Sequence, residues 1–544
     1  MFPECYNLPQ MGGKNTSKQK LHWPAIILAA IIAVQTVIYV GAGIGKVYMH
    51  MDEAYSLAPT HYDKLDITKN EDFYNNWHTN EYYLEYLAVQ KDELGDFTPV
   101  YENQKNDVHP PLFYFLLRLA QNLIAGKFSK WPGIVLNILI HVGITILLYA
   151  IWRRLLSSEK HATAKALAIT ALSAITIASI SSAVYIRMYA LLTLMVLLTL
   201  WLHLRLSAAK TWKPSLLVSI GTVALLGTLT QYYYLFFLAP LYIVTSVRLI
   251  KEKSWRRLAI YTSVLVAAGV ISLLLWPYSL QHMFFGYRGQ GVIHNFLNLP
   301  QLAINIAKYL QIISYNAFHQ LGFVLVAIIL GLLFYTRQKR KKKALHNQTL
   351  GLIVWPTFVY FLLTAAASPY IELRYVMPVC GLILGLIFYA LYHILGYVAK
   401  EDIRNKILLC TLAVVWIAAP IQLALGVMRI ELIYRDRAAV MQTTAEHKDV
   451  PLLYLVDSRG NRFLDNILPY TIAEQSYLML DQDYTNPENI EKVLANQDLS
   501  HGLMLWISNG DDYDKVLESA QSATGFKEAD FIQVINMCNV YYLH

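Results

Sequence analysis

Apolar runs of membrane-spanning length recur along this sequence, and they constrain it more than anything else in it. A helix needs about 20 apolar residues to cross a hydrocarbon core about 30 Å thick. The first such run covers 24–45, behind Lys14, Lys18 and Lys20. Ten more cover 131–151, 164–184, 188–206, 214–231, 233–250, 258–276, 317–336, 350–367, 375–397 and 407–427. The chain is 56% hydrophobic and 15% charged, against about 25% charged in an ordinary soluble domain. A soluble enzyme, a disordered chain and a disulfide scaffold are excluded. The pattern predicts a polytopic α-helical membrane protein with about eleven transmembrane helices. The first run is longer than a signal-peptide core of about 7–15 residues. It therefore reads as an uncleaved anchor, despite the small residues Gly41-Ala42-Gly43, with 1–23 as a cytoplasmic tail.

Charge orients the spans. Arg153, Arg154, Lys160 and Lys165 fall in one loop, Arg205, Lys210 and Lys213 in another, and Arg248, Lys251, Lys253, Arg256 and Arg257 in a third. Arg337 to Lys343 and Lys400 to Lys406 fill two more. With eleven spans all of these lie on the side of the N-terminus, as the positive-inside rule requires. The net charge of +8 is thus a topology signal, not a nucleic-acid patch. The apolar stretch 112–125 is short and holds Arg118 and Gln121, so it is predicted to lie in the interface on the outer face.

Three polar pieces then face outward in a multi-pass plasma-membrane protein: loop 46–130 within the transmembrane domain 24–427, loop 277–316, and the segment 428–544. In the last, 452–457 and 502–508 read as buried strands, and 460–475 and 511–523 as helices. A small extracytoplasmic α/β C-terminal domain follows. Of the four cysteines, Cys380 and Cys410 lie in apolar runs and read as core, and Cys5 and Cys538 lie at opposite ends of the chain. No metal spacing or disulfide framework is present.

The candidate chemistry sits on the outer side. Asp52 and Glu53 directly follow the first span. An acidic pair there suits a helix N-terminus. A carboxylate beside apolar surface also has a raised pKa and can take a proton from a hydroxyl. Asn106-Asp107-Val108-His109-Pro110-Pro111-Leu112 is a rigid entry to the interfacial helix. Arg187 and Arg374 both fall at the outer ends of spans, where topology does not want them. A phosphate would satisfy both guanidiniums. Tyr189 and Tyr375 stand next to these arginines, and Tyr287 and Arg288 lie in the glycine-containing loop 284–296. Asp107, His109, Tyr189, Tyr375, Tyr287 and Arg288 make a candidate substrate-binding set. "GAGIGK" at 41–46 ends a membrane span and is no nucleotide loop.

The acidic pair after the first span, "DVHPPL", "IRMYAL" and "ELRYVMP" together resemble the GT-C glycosyltransferases. The nearest branches are the protein O-mannosyltransferases and the lipid A aminoarabinose transferases, over about residues 20–430. The resemblance implies a sugar donor on a polyprenyl phosphate, such as undecaprenyl phosphate, and an extracytoplasmic acceptor. That acceptor would be a cell-surface polysaccharide, a teichoic acid, a lipid glycan or a protein. Asp52 matches the catalytic aspartate and Glu53 its neighbour. Arg187 and Arg374 match donor-phosphate positions, and His109 matches the histidine of the HPP motif. The expected reaction is an inverting hexosyl or pentosyl transfer with Asp52 as general base. No cofactor is required, although a carboxylate-rich first loop leaves room for a divalent cation. A glycolipid transporter or flippase is the alternative, against which stands the lack of an inverted repeat. A non-enzymatic surface receptor would leave the acidic pair and the two arginines unexplained.

Overall fold

The computed structural model describes residues 22–285, 298–337, 348–456, 463–508 and 513–544. Each apolar run winds into a helix because no water is present in a bilayer to satisfy an open backbone. The first helices are α1 (His22–Gly45), α2 (Met51–Leu57), α3 (Asn80–Leu87), α4 (Thr98–Asn106), α5 (Leu112–Gln121) and α6 (Trp131–Leu155). Next come α7 (Ala162–Ala174), α8 (Ile177–Val184), α9 (Tyr189–Ala208), α10 (Pro214–Thr230), α11 (Leu235–Lys251) and α12 (Trp255–Leu275). Then follow α13 (Leu299–Phe318), α14 (Gly322–Tyr335), α15 (Gln348–Ala367), α16 (Met377–Leu395) and α17 (Glu401–Ala424). Among the described residues eight helices are long and apolar enough to cross a membrane, and up to ten if two bent pairs each count as one span. Helix α10 is slightly shorter and equally apolar. The chain is a multi-pass membrane protein.

Burial ranks the helices. In α9, 72% of the apolar window is buried, against 17% in α1 and α12 and 22% in α17. Helix α9 is therefore the centre of the bundle, and the other three turn their apolar sides outward, as lipid-facing helices do.

Three expectations need correction. The run 164–184 is not one straight span, because α7 and α8 meet at 55°. Thr176 caps α8 by accepting from Ser179 N at 3.2 Å. The carbonyls freed at the break are taken by Tyr39 Oη on Ala174 (2.7 Å) and Ser179 Oγ on Ser173 (2.7 Å). Among the described residues of the outer loop 277–316, most belong to helix α13, which turns through 102° into α14. His319 and Gln320 make that turn at φ 49° and 66°. Asn305, Lys308 and Gln311 interrupt the apolar pattern of α13, which hid the helix from a hydropathy reading. The run 317–336 thus joins the end of one helix to a second of 14 residues. Cys410 is exposed rather than buried.

The C-terminal segment builds a six-stranded sheet in the order β1-β3-β2-β4-β6-β5. Its strands are β1 (Trp77–Thr79), β2 (Leu452–Val456), β3 (Gln475–Leu480), β4 (Leu503–Ser508), β5 (Ala529–Ile535) and β6 (Cys538–Leu543). Strands β2 and β4 are the two read from the sequence. They pair in parallel at the centre and are buried throughout, as central parallel strands are. Leu453, Leu455, Leu505 and Ile507 pack on helices Pro487–Leu494 and Tyr513–Thr524, while Leu452, Tyr454, Met504 and Trp506 join the main core. The helix expected over 460–475 is a short turn at Phe463–Asp465, four helical residues at Ile467–Tyr470, and then the start of β3. Residues 457–462 of that stretch lie outside the described residues. Strand β1 comes from the first loop and pairs antiparallel with β3, Trp77 opposite Tyr477.

Candidate active site

The site is built where α1 hands over to α2. His50 caps α2: its Nδ1 accepts from Asp52 N at 3.0 Å, and the Glu53 carboxylate accepts from His50 N at 2.9 Å. This is the reciprocal capping box that starts a helix. Glu53 is fully buried. Its Oε2 also meets Lys46 Nζ at 2.9 Å, and its Oε1 accepts from Ile186 N at 2.9 Å. Lys46 reaches the Leu432 carbonyl at 2.6 Å. Glu53 therefore ties the end of α1, the start of α2 and the segment entering α9 into one corner, with both oxygens engaged.

That corner presents Asp52. Its Oδ2 accepts from Tyr185 Oη at 2.8 Å and is ion-paired to Arg374 Nη1. His50 Nδ1 lies 3.7 Å away. Arg374 Nη1 also donates to Tyr185 Oη at 2.8 Å, and Arg374 Nε lies 2.7 Å from Glu372 Oε2. The guanidinium sits over the Tyr375 ring, 5.2 Å from its centroid. One arginine thus bridges two carboxylates.

Arg187 is arranged differently. Its Nη1 donates to Tyr114 Oη at 3.0 Å, Ser56 Oγ at 3.2 Å and the Tyr55 carbonyl at 3.4 Å. It is buried among neutral acceptors, at 5% exposure.

Burial raises the Asp52 pKa, but the Arg187 and Arg374 guanidiniums, His50 and the Tyr185 hydrogen bond outweigh it. The carboxyl is held well below the usual range. The expectation of a raised pKa is corrected for this residue, because two buried cations face it. The raised carboxyl is Asp107. Burial pushes it up and Asp52 adds repulsion, against partial relief from Arg187, the Val108 N–H and His282.

Two cavities meet at this cluster, and His50, Glu372 and Arg374 line both. One, of about 560 Å³, is walled by Asp52, Tyr55, Asp66, Tyr370, Phe463 and Asp465. The other, of about 430 Å³, is walled by Ser181, Tyr185, Ile312, Asn316, Met377 and Tyr434, mostly from the helix bundle. Arg187, Asp107 and His109 line neither. Tyr189 stacks on Tyr185 with ring centroids 6.1 Å apart and meets the Tyr375 edge at 6.0 Å. Tyr287 and Arg288 lie outside the described residues. Among the described residues no group of three or more His, Cys, Asp or Glu side chains is placed to hold a metal ion.

Several members of the cluster escaped the sequence reading. His50 adjoins the acidic pair, and Glu372 stands two residues before Arg374, so proximity to known candidates was a usable signal. Tyr185 had the same signal from Arg187. Asp465 had none: it reaches the site from the C-terminal sheet domain, where its Oδ1 accepts from Met51 N at 3.1 Å.

Residues 108–276 match the family model described as dolichyl-phosphate-mannose-protein mannosyltransferase. Over this segment, which is less than a third of the chain, the sequence is similar to that glycosyltransferase family. The matched segment holds His109, Tyr185, Arg187 and Tyr189, whereas Asp52 and Arg374 lie on either side of it. The fold is also similar to solved structures. ArnT from Cupriavidus metallidurans bound to undecaprenyl phosphate aligns at a TM-score of 0.47 and 14% identity, over 95% of this chain and 97% of that one. The oligosaccharyltransferase AglB from Archaeoglobus fulgidus, in complex with an inhibitory peptide and a dolichol-phosphate, aligns at 0.44 and 10%, over 96% and 74%. A comparison with curated proteins gives no significant match.

Proposed function

We propose that this protein moves a sugar from a polyprenyl-phosphate donor to a hydroxyl of an extracytoplasmic acceptor, with the cluster around Asp52 on the outer side of the membrane. The observation that carries the reading is the carboxylate of Asp52, facing a cavity large enough for a sugar and ion-paired to Arg374 at the junction with a second cavity. The family matched by 108–276 is named for a lipid-phosphate sugar donor, which agrees with that charge arrangement.

The acceptor oxygen attacks the anomeric carbon, forming the new C–O bond as the bond from that carbon to the phosphate oxygen breaks. The acceptor proton passes to Asp52. Polyprenyl phosphate leaves with one more negative charge, which Arg374 faces across both cavities. Fixed cationic donors at a developing charge are an effective form of catalysis. One displacement inverts the anomeric centre. Glu53, with both oxygens engaged, is a positioning residue rather than a proton carrier. Arg187 backs Asp52 from the buried side. The scheme places positive charge on the phosphate without a metal.

The transporter alternative gains nothing from the geometry. The ion-paired cluster sits at the ends of the long helices, at His50–Glu53, Tyr185–Arg187 and Glu372–Arg374, not near the bilayer midplane where transporters hold substrate. The test is Asp52→Asn in purified protein supplied with a polyprenyl-phosphate sugar. Transfer should fall roughly 10²–10⁴-fold, the usual contribution of a general base. Near-normal turnover would remove Asp52 from this role.

A further inference from the structure

The resting site has a contradiction in it. The residue offered as base is ion-paired to the cation that the donor phosphate needs. Arg374 is the only arginine among the described residues that lines both cavities. Its Nη1 is occupied by Asp52 and Tyr185, and its Nε faces Glu372. Arg187 cannot substitute, because it is buried among Ser56, Tyr114 and the Tyr55 carbonyl and opens on neither cavity. A carboxylate clamped by a guanidinium is a poor proton acceptor, and a guanidinium clamped by a carboxylate is a poor phosphate ligand.

We propose that Asp52 and the donor phosphate compete for Arg374, so that donor binding draws the arginine off the carboxylate and frees the base only once the sugar is in place. This rests on the transferase reading above. Glu372 holds the opposite edge of the same guanidinium, so the arginine keeps an anchor while Nη1 changes partner. Asp52 retains His50, Tyr185 and the charge of Arg187 around it, with Asp107 as the further carboxyl that interacts with it. It therefore stays ionised but loses its closest cation. An acceptor arriving first meets a neutralised carboxylate. The base is consequently freed only after the donor has bound.

Competition has a signature that a merely structural ion pair lacks. Linkage is reciprocal, so removing the internal anion must tighten the external one. Undecaprenyl phosphate is the probe, titrated into the full-length protein in detergent. Asp52→Asn should bind it roughly tenfold more tightly than wild type, within the usual range for coupled sites. Asp66→Asn is the control for simple charge removal. Asp66 lines the same cavity, but its carboxylate is taken up by Tyr55 Oη (3.1 Å) and Thr68 (3.0 and 2.7 Å). It should change affinity by no more than about twofold. In an Arg374→Ala background the gain from Asp52→Asn should vanish. Equal gains from Asp52→Asn and Asp66→Asn, or no gain from Asp52→Asn, overturn the competition while leaving the transferase reading intact. Failure of the wild-type protein to bind the probe at all removes both.

Discussion

Arg187 and Arg374 come from equivalent sequence signals and finish in opposite circumstances. Each is a lone guanidinium at the end of a span. Arg187 is enclosed by two hydroxyls and a carbonyl. Arg374 lies between two carboxylates at the junction of two cavities. The first has neutral partners and no room for a ligand, so it acts by its field on Asp52. The second has exchangeable anionic partners and open space, so it can act by contact. A misplaced charge in a membrane sequence marks a site, but only its neighbours say whether it binds or supports.

The sharpest way to break this comparison is to truncate each arginine. Arg374→Ala should lower kcat/KM for transfer by roughly 10²–10³-fold, the scale for losing one donor to a developing anion, and should weaken binding of undecaprenyl phosphate. Arg187→Ala should instead show mainly as lost stability, about 3 kcal/mol for hydrogen bonds to a buried charge, with probe affinity changed less than about threefold. Donor binding that depends on Arg187 and not on Arg374 would reverse the assignment.

The two aspartates sharpen the same contrast at smaller scale. Asp52 is held below its unfolded pKa, so its stabilising interactions are fully present above about pH 4 and fade as the pH falls. Asp52→Asn should lower the thermal midpoint at neutral pH, with the gap to wild type closing in acid. Asp107 is pushed up, so its ionisation costs stability as the pH rises. Asp107→Asn should raise the midpoint at neutral pH, by about 2 °C. Midpoints measured from about pH 2 to about pH 8 check both signs. The smallest expected effect is that of chelation: EDTA should leave transfer unchanged if Arg374 carries the phosphate charge, and a loss restored by a divalent cation would add a metal to the site.

Much of the helical frame was legible because a membrane leaves hydropathy little latitude. Trp131–Leu155 and Tyr189–Ala208 fall close to the runs read for them. Helix α13 was not legible, since its polar residues made a loop the simpler reading. Strands β5 and β6 lack the continuous apolar character of β2 and β4, and nine of their thirteen residues are partly or fully exposed. Asp52, Arg187 and Arg374 stood out as charges next to apolar spans. Their division of labour did not, because it depends on Tyr114 and Ser56 reaching Arg187, and on Asp52 reaching Arg374, from separate segments. Asp465 illustrates the limit. It contacts Met51 across 414 positions of sequence, and no local pattern encodes that meeting.

The pairing of β1 with β3 makes the terminal sheet a discontinuous unit. Three residues inserted near position 78 complete an edge whose other strands begin more than 370 positions later. A chimera that swaps only the end of the chain would leave this edge strand facing a stranger, and would replace the Phe463 and Asp465 wall beside Asp52. Any transplant intended to change acceptor preference therefore has to carry the short strand along with the tail.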